Sequence, residues 1–133
     1  MGDFNINPFE HGMVAANGLN AVSDLNYAFE AKYRNFDEVD YKFFYNPMWN
    51  FFGDFKKPLG THYKRTAGHV SHEWHILDQI LLRPSLKQYL IPHPTSIRVI
   101  TSIEGANLYT GHYFRPATAK YSDHFPIALR LNT

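Results

Sequence analysis

Trp74-His75-Ile76-Leu77-Asp78-Gln79-Ile80-Leu81-Leu82 is the stretch whose reading decides the fold. Side chains on an extended chain alternate between two faces. Trp74, Ile76, Asp78 and Ile80 therefore share one face, and His75, Leu77, Gln79 and Leu81 share the other. Apolar residues on both faces predict a strand covered on both sides, the mark of a layered α/β domain. A single carboxylate, Asp78, interrupts the run. On its own, such an Asp is more often a local hydrogen-bond partner than a catalyst.

Downstream, Pro84–Leu90 reads as a short helix, and Ser96–Thr101 and Phe125–Leu131 as two further strands. The last would turn Ile127, Leu129 and Leu131 inward, with Pro126 at its start, where a missing N–H is tolerated. Upstream, Met1–Asn5 reads as the end of a strand entering a loop. Asn7-Pro8-Phe9-Glu10 has the form of a helix start: a capping Asn, Pro at the first position and Glu at capping-box spacing. That helix should run through about Val14–Ala16 and stop near Asn17-Gly18. Ser23-Asp24 is expected to cap a second helix, Leu25–Tyr33. Phe44, Met48, Phe52 and Phe55 fall at helical spacing, so a helix starting near Asn46 is expected there, most simply as core. Strands with interspersed helices predict an α/β (α+β) domain over residues 1–133.

Composition narrows the chemistry. Hydrophobic residues make up 44% of the chain and charged residues 19%, which argues for a packed core and against disorder. A chain of this size buries about two-thirds of the surface its unfolded form exposes. A net charge of +1 gives no broad field for a polyanion, so any such attraction must be local. Without Cys, disulfides and thiolate metal sites are excluded, consistent with a reducing, cytoplasmic setting. No apolar run reaches membrane-spanning length, and no signal peptide is expected.

Two other runs carry candidate chemistry: Gly2-Asp3-Phe4-Asn5 and Ser122-Asp123-His124-Phe125-Pro126. Residues i and i+2 of an extended segment point the same way, so Asp3 and Asn5 can converge on one site. Asp78 can hold His124 in one tautomer, as carboxylates do in hydrolases. Asp123 and His124 would diverge on a regular strand, which puts them on the loop before it. Carboxylates, an amide and an imidazole are the groups phosphoester hydrolysis needs: water positioning, phosphate recognition and proton transfer. Oxygen ligands suit Mg²⁺, with Mn²⁺ as a substitute.

In their order along the chain, Gly2–Asn5, Trp74–Ile80 and Ser122–Pro126 resemble three motifs of the endonuclease/exonuclease/phosphatase superfamily, the deoxyribonuclease I-like and exonuclease III-like enzymes. Phe44–Trp49 and Leu59–Tyr63 also look like bacterial members. The resemblance implies half of a four-layer αββα sandwich, with a mixed, mostly antiparallel sheet and helices on one side. It implies a metal-dependent phosphodiesterase working by in-line attack of an activated water. Asp3 would position that water, Asn5 would bind the scissile phosphate, and Asp78 would orient His124. His124 would act as general acid/base or stabilise developing charge. Asp123, together with Asp3, would bind or align Mg²⁺.

The family's principal metal-binding glutamate lies on a strand well before Gly-Asp-Phe-Asn. Glu10, Glu30, Glu38, Glu73 and Glu104 stand in the wrong context to replace it. The resemblance therefore implies the C-terminal half of such a domain, impaired alone and completed by an N-terminal half or by a homodimer. The alternative is a catalytically inactive fragment that associates through an exposed inner sheet face. The expected partner is a phosphoester, nucleic acid among the candidates, and no membrane.

Weaker features have bland readings. His69, His72 and His75 are spaced by three, but Gly68 and the strand at Trp74 disfavour a helical zinc face, and surface histidines are the stronger reading. Lys56, Lys57, Lys64 and Arg65 around Phe55 and Tyr63 read equally well as a phosphate-contacting patch or as solvated loop charges. Arg115 and Lys120, close before Asp123, are the better expectations for substrate contact.

Overall fold

A computed structural model describes residues 1–53, 58–90 and 96–132. In chain order the elements are β1 (Gly2–Asp3), α1 (His11–Val14), β2 (Ala21–Val22), α2 (Leu25–Ala31), β3 (Tyr33–Phe36), β4 (Val39–Lys42) and β5 (Phe44–Tyr45). There follow β6 (His62–Tyr63), β7 (Trp74–His75), β8 (Asp78–Gln79), β9 (Ile97–Val99), β10 (Ser102–Ile103), β11 (Ala106–Asn107), β12 (Tyr109–Thr110), β13 (Arg115–Pro116) and β14 (Ile127–Leu129). Two 3₁₀ segments, Pro47–Phe51 and Pro84–Tyr89, complete the set. The chain is α+β, built on short, mostly antiparallel strand pairs with few helices; β2 with β5 is parallel. No helix among the described residues is long and apolar enough to cross a membrane.

The expected strand Trp74–Leu82 is present as a path but not as one ladder. Its start pairs with β6 (His62↔His75), its middle with β1 (Asp3↔Asp78), and Leu82 forms a bridge to Tyr45. Between these contacts, side-chain oxygens replace strand carbonyls. Ile76 N–H donates to Asn7 Oδ1, and the N–H groups of Leu77 and Asp78 both donate to Thr61 Oγ1 at 3.1 Å. Backbone donors away from water need some acceptor. The side chains supply it, so the segment stays extended without a continuous neighbour.

That use of Asn7 corrects the expected first helix. With Oδ1 committed to Ile76, Asn7 does not cap, and α1 begins only at His11. Glu10 still reaches back as a capping box would: its Oε1 accepts from both Asn7 N and Asn7 Nδ2, each at 2.8 Å. Asp24 caps α2 as expected, accepting from Tyr27 N. The helix stops at Ala31, short of Tyr33, because Lys32 turns to φ 64 and Tyr33 opens β3.

The aromatic helix is also shorter than its spacing suggested. Phe44 lies in β5, paired with Ala21 of β2. Asn46 then accepts from Met48 N, with Pro47 in the first turn, and a 3₁₀ segment runs to Phe51. Phe55 lies outside the described residues, as do Lys56 and Lys57. The expected short helix at Pro84–Leu90 is 3₁₀ over Pro84–Tyr89. The two late strands pair antiparallel, Ile127↔Val99 to Leu129↔Ile97.

The core sits under this arrangement. Met48, Ile76, Ile80 and Leu82 are buried together, and Tyr45, Leu86, Leu90, Ile97, Ile127 and Leu129 pack around them. Each of the four buried side chains contributes about 1.5–3 kcal/mol relative to exposure. Beside the core runs a buried polar chain. Asn46 Nδ2 donates to Gln79 Oε1 at 2.7 Å, and Gln79 Nε2 donates to the Ile6 carbonyl. Gln79 follows Asp78, so this chain fixes the backbone that presents Asp78.

Candidate active site

Three segments distant in sequence converge. β1 lays Asp3 directly opposite Asp78 of β8. The loop before β14 brings in Asp123 and His124. The β6 segment is the spacer between them: Thr61 Oγ1 binds the N–H groups of Leu77 and Asp78, while the Thr61 carbonyl accepts from Phe125 N at 2.7 Å. Thr61 is fully buried. One residue thus sets the separation of the Asp78 segment and the His124 segment. The preceding Gly60 is required by close approach, since a Cβ there would collide with the His75 carbonyl.

The central contact is His124 Nδ1 to Asp78 Oδ2 at 2.8 Å. The two side chains are 23% and 17% exposed, so the pair is partly screened from solvent yet reachable from it. Nδ1 facing a carboxylate carries the proton, which leaves the lone pair on Nε2. His124 N–H also donates to Ser122 Oγ, which shapes the loop.

Asp3 lies within reach of this pair. Single ligand atoms of Asp3, Asp78 and His124 fall within 4.8 Å of one another. Asp3 Oδ1 accepts from Asn5 N at 2.8 Å. Asn5 itself has φ 54, so Asp3-Phe4-Asn5 is not the extended i, i+2 pair the spacing suggested. The β1 ladder ends at Phe4, whose N–H bonds to the Leu77 carbonyl, and the chain then turns. A short side chain that hydrogen-bonds its own backbone two residues on makes such a turn. Asn5 is held close to Asp3 by this turn, with an exposed side chain.

Asp123 and Asp3 do not fall in one group. Asp123 groups with His62 and His124, again within 4.8 Å, and His124 belongs to both sets. His62 was not singled out by the sequence. It enters because β6 forms an antiparallel bridge with the loop before β14, His62↔His124. Its ring lies 4.6 Å from that of His124, and its Nδ1 is 3.0 Å from the Asp123 carbonyl. Thr61 and His62 lie in the Leu59–Tyr63 turn, and nothing in their spacing announces partners as distant as Phe125 and His124.

A cleft of about 580 Å³ opens beside the pair. Asp78, His124, Lys120 and Tyr121 line it, with Ile103 and Leu108 as apolar wall. Lys120 is where a substrate contact was expected. Arg115 is not in that lining. Its guanidinium lies over the Tyr63 ring at 4.2 Å and near Tyr113 at 5.0 Å, an aromatic setting that holds it beside β6.

Comparison with protein-family models, curated proteins and solved structures found no match.

Of the weaker candidates, His69 and His72 lie on the connection between β6 and β7, while His75 belongs to β7. They form no shared metal group among the described residues. His75 has its own role: its Nδ1 lies 3.1 Å from Asn7 Nδ2 and accepts from that amide. Burial, then the neighbouring His62 and His72, push its pKa below the usual 6.5. Lys64 N–H bonds to the Glu73 carbonyl, and Tyr63 OH to the Glu73 carboxylate, so that basic stretch is part of a hairpin.

Proposed function

We propose that the chain is a metal-dependent phosphoester hydrolase of the endonuclease/exonuclease/phosphatase type, a half-sandwich of the deoxyribonuclease I-like fold. The observation that supports the reading best is the 2.8 Å Asp78–His124 contact with Asp3 as the cross-strand partner of Asp78. A carboxylate-oriented imidazole and a lysine on one cleft, with the Asp3 carboxylate within 4.8 Å of the pair, match the needs of phosphate hydrolysis.

In this reading the water oxygen attacks phosphorus as the ester P–O bond breaks. Asp3 orients the water, and Asn5, whose N–H bonds to Asp3, offers its amide to a phosphate oxygen. His124 Nε2 is the proton carrier. Asp78 is a positioning residue: it fixes the His124 tautomer and favours the imidazolium when it forms. Lys120 offers a point charge to the phosphate.

The donor set suits a hard cation, since Asp3 and Asp78 offer carboxylate oxygens within 4.8 Å of each other. Mg²⁺, with Mn²⁺ as a substitute, would neutralise phosphate charge and acidify a bound water. Substrate choice within this chemistry, nucleic acid included, would lie with the Lys120–Tyr121 wall.

The test is magnesium-dependent hydrolysis of bis-p-nitrophenyl phosphate by the 133-residue chain, with His124→Ala as control. Activity that requires Mg²⁺ and disappears in the control supports the reading. A folded chain with no such activity, or activity that persists in His124→Ala, overturns it.

A further inference from the structure

A second group of ligands shares His124. His62 and His124 are partners across an antiparallel bridge, and such partners carry their side chains on one face of the strand pair. One ligand atom from each, and one Asp123 carboxylate oxygen, lie within 4.8 Å of one another. Both imidazoles are already oriented by oxygen acceptors. His62 Nδ1 donates to the Asp123 carbonyl at 3.0 Å, and His124 Nδ1 donates to the Asp78 carboxylate at 2.8 Å. Each ring is thereby fixed with its proton on Nδ1 and its lone pair on Nε2. This is the outer-shell arrangement that orients metal-binding histidines and raises their basicity.

We infer that His62, Asp123 and His124 form a site for a zinc-like divalent cation, and that filling it withdraws His124 from hydrolysis. The second half of this inference rests on the hydrolase reading. Two imidazoles and one carboxylate favour Zn²⁺ and its neighbours over Mg²⁺, which prefers oxygen ligands. Zinc sits about 2.0–2.2 Å from each ligand atom, so the three must draw together. Asp123 is exposed and on a loop, which gives its carboxylate room to close in. With three protein ligands, a fourth position stays open to water or to a phosphate oxygen. His124 Nε2 cannot bind the cation and carry a proton at once. Zinc therefore inhibits the magnesium-supported reaction by taking up its proton carrier.

The experiment has two arms. In the first, ZnCl₂ is titrated calorimetrically, in a non-chelating buffer, into the full chain, His62→Ala and Asp3→Asn. Expected is one saturable zinc per chain, weakened more than about tenfold by His62→Ala and hardly changed by Asp3→Asn. Imidazole ¹⁵N signals of the unsubstituted chain should show zinc shifting Nε2 of His62 and His124 and sparing His75. This reading does not depend on any variant folding. No zinc uptake, uptake indifferent to His62→Ala, or signals that move elsewhere would overturn the site.

In the second arm, zinc is added to the magnesium-supported hydrolysis assay. Inhibition should track zinc occupancy and should need more than about tenfold higher zinc in His62→Ala. Inhibition at the same zinc concentration in both proteins would overturn the inhibitory role. Absence of any hydrolysis counts against the hydrolase reading and leaves the binding arm to stand or fall alone.

Discussion

Asp78 Oδ2 and His124 Nδ1 lie 2.8 Å apart across 46 residues of sequence. Thr61 spans the gap between their segments. Its hydroxyl takes two N–H groups around Asp78, and its carbonyl takes the N–H next to His124. The polar chain from Asn46 through Gln79 to Ile6 secures the Asp78 segment from the opposite side. The pair is held by the backbones that carry it as well as by its own hydrogen bond. That is the support a working site needs, because orientation errors of about 1 Å can cost on the order of 10²-fold in rate.

Asp78→Asn should therefore lower kcat much more than it changes KM. The amide is close to the carboxylate in size but cannot stabilise an imidazolium, and it can turn its NH₂ toward Nδ1 and reverse the tautomer. A loss of about 10²–10⁴-fold in kcat is expected. Steady-state kinetics on bis-p-nitrophenyl phosphate, paired with the imidazole ¹⁵N spectrum of His124, decides it. An unchanged tautomer with unchanged kcat would remove Asp78 from the mechanism.

Thr61→Val keeps the shape and removes the acceptor. Two N–H groups lose their partner, each at a cost of about 1–3 kcal/mol where water cannot replace it. Stability should fall by that order, and kcat with it as Asp78 drifts from His124. Thr61→Ser retains the hydroxyl and should restore most of both. Denaturant midpoints and kcat measured on the three proteins test this. A Thr61→Ser protein as impaired as Thr61→Val would point to lost packing rather than to the lost acceptor.

The sequence was legible wherever a local signal decides the outcome. Asp24 before α2, Pro47 after Asn46 and Pro84 after Arg83 act within one turn of chain, and each starts the segment it marks. It misled where a side chain had a distant commitment. Asn7 looked like a cap but serves Ile76, and Phe44 had helical spacing but pairs with Ala21. The Asp78–His124 contact was expected from the residue types as well as from the resemblance, and the two side chains lie 2.8 Å apart. His62 and Thr61 were not expected, because a bridge from His62 to His124 and a backbone contact from Thr61 to Phe125 leave no periodic trace. The Asp3–Asn5 relation was expected on extended geometry and is instead a turn.

His75 makes stability depend on pH. Burial first, then His62 and His72, lower its pKa in the folded chain, against a smaller opposing pull from Glu10. The unfolded chain therefore binds more protons as pH falls through the usual 6.5. Stability is complete above that value and declines below it toward the lowered folded pKa. Protonation also turns Nδ1 into a donor facing the Asn7 amide, from which it now accepts. Urea unfolding at pH 7.5 and 5.5 should show a drop in stability that His75→Phe makes smaller. An equal drop in the variant would assign the effect to other groups.

Gln79→Met should destabilise the fold more than its similar size suggests. Gln79 is fully buried, and its amide serves both Asn46 Nδ2 and the Ile6 carbonyl. Methionine fills the space but leaves both groups without a partner away from water, at about 1–3 kcal/mol each. Asn46→Leu alone removes the Met48 N–H acceptor as well as the Gln79 contact. Orphaned groups of one network are not additive, so the double variant should lose less than the sum of the two single losses. Urea unfolding of the four proteins gives the coupling directly. A coupling energy near zero would mean that the two amides act independently and that core packing alone holds the Asp78 segment in place.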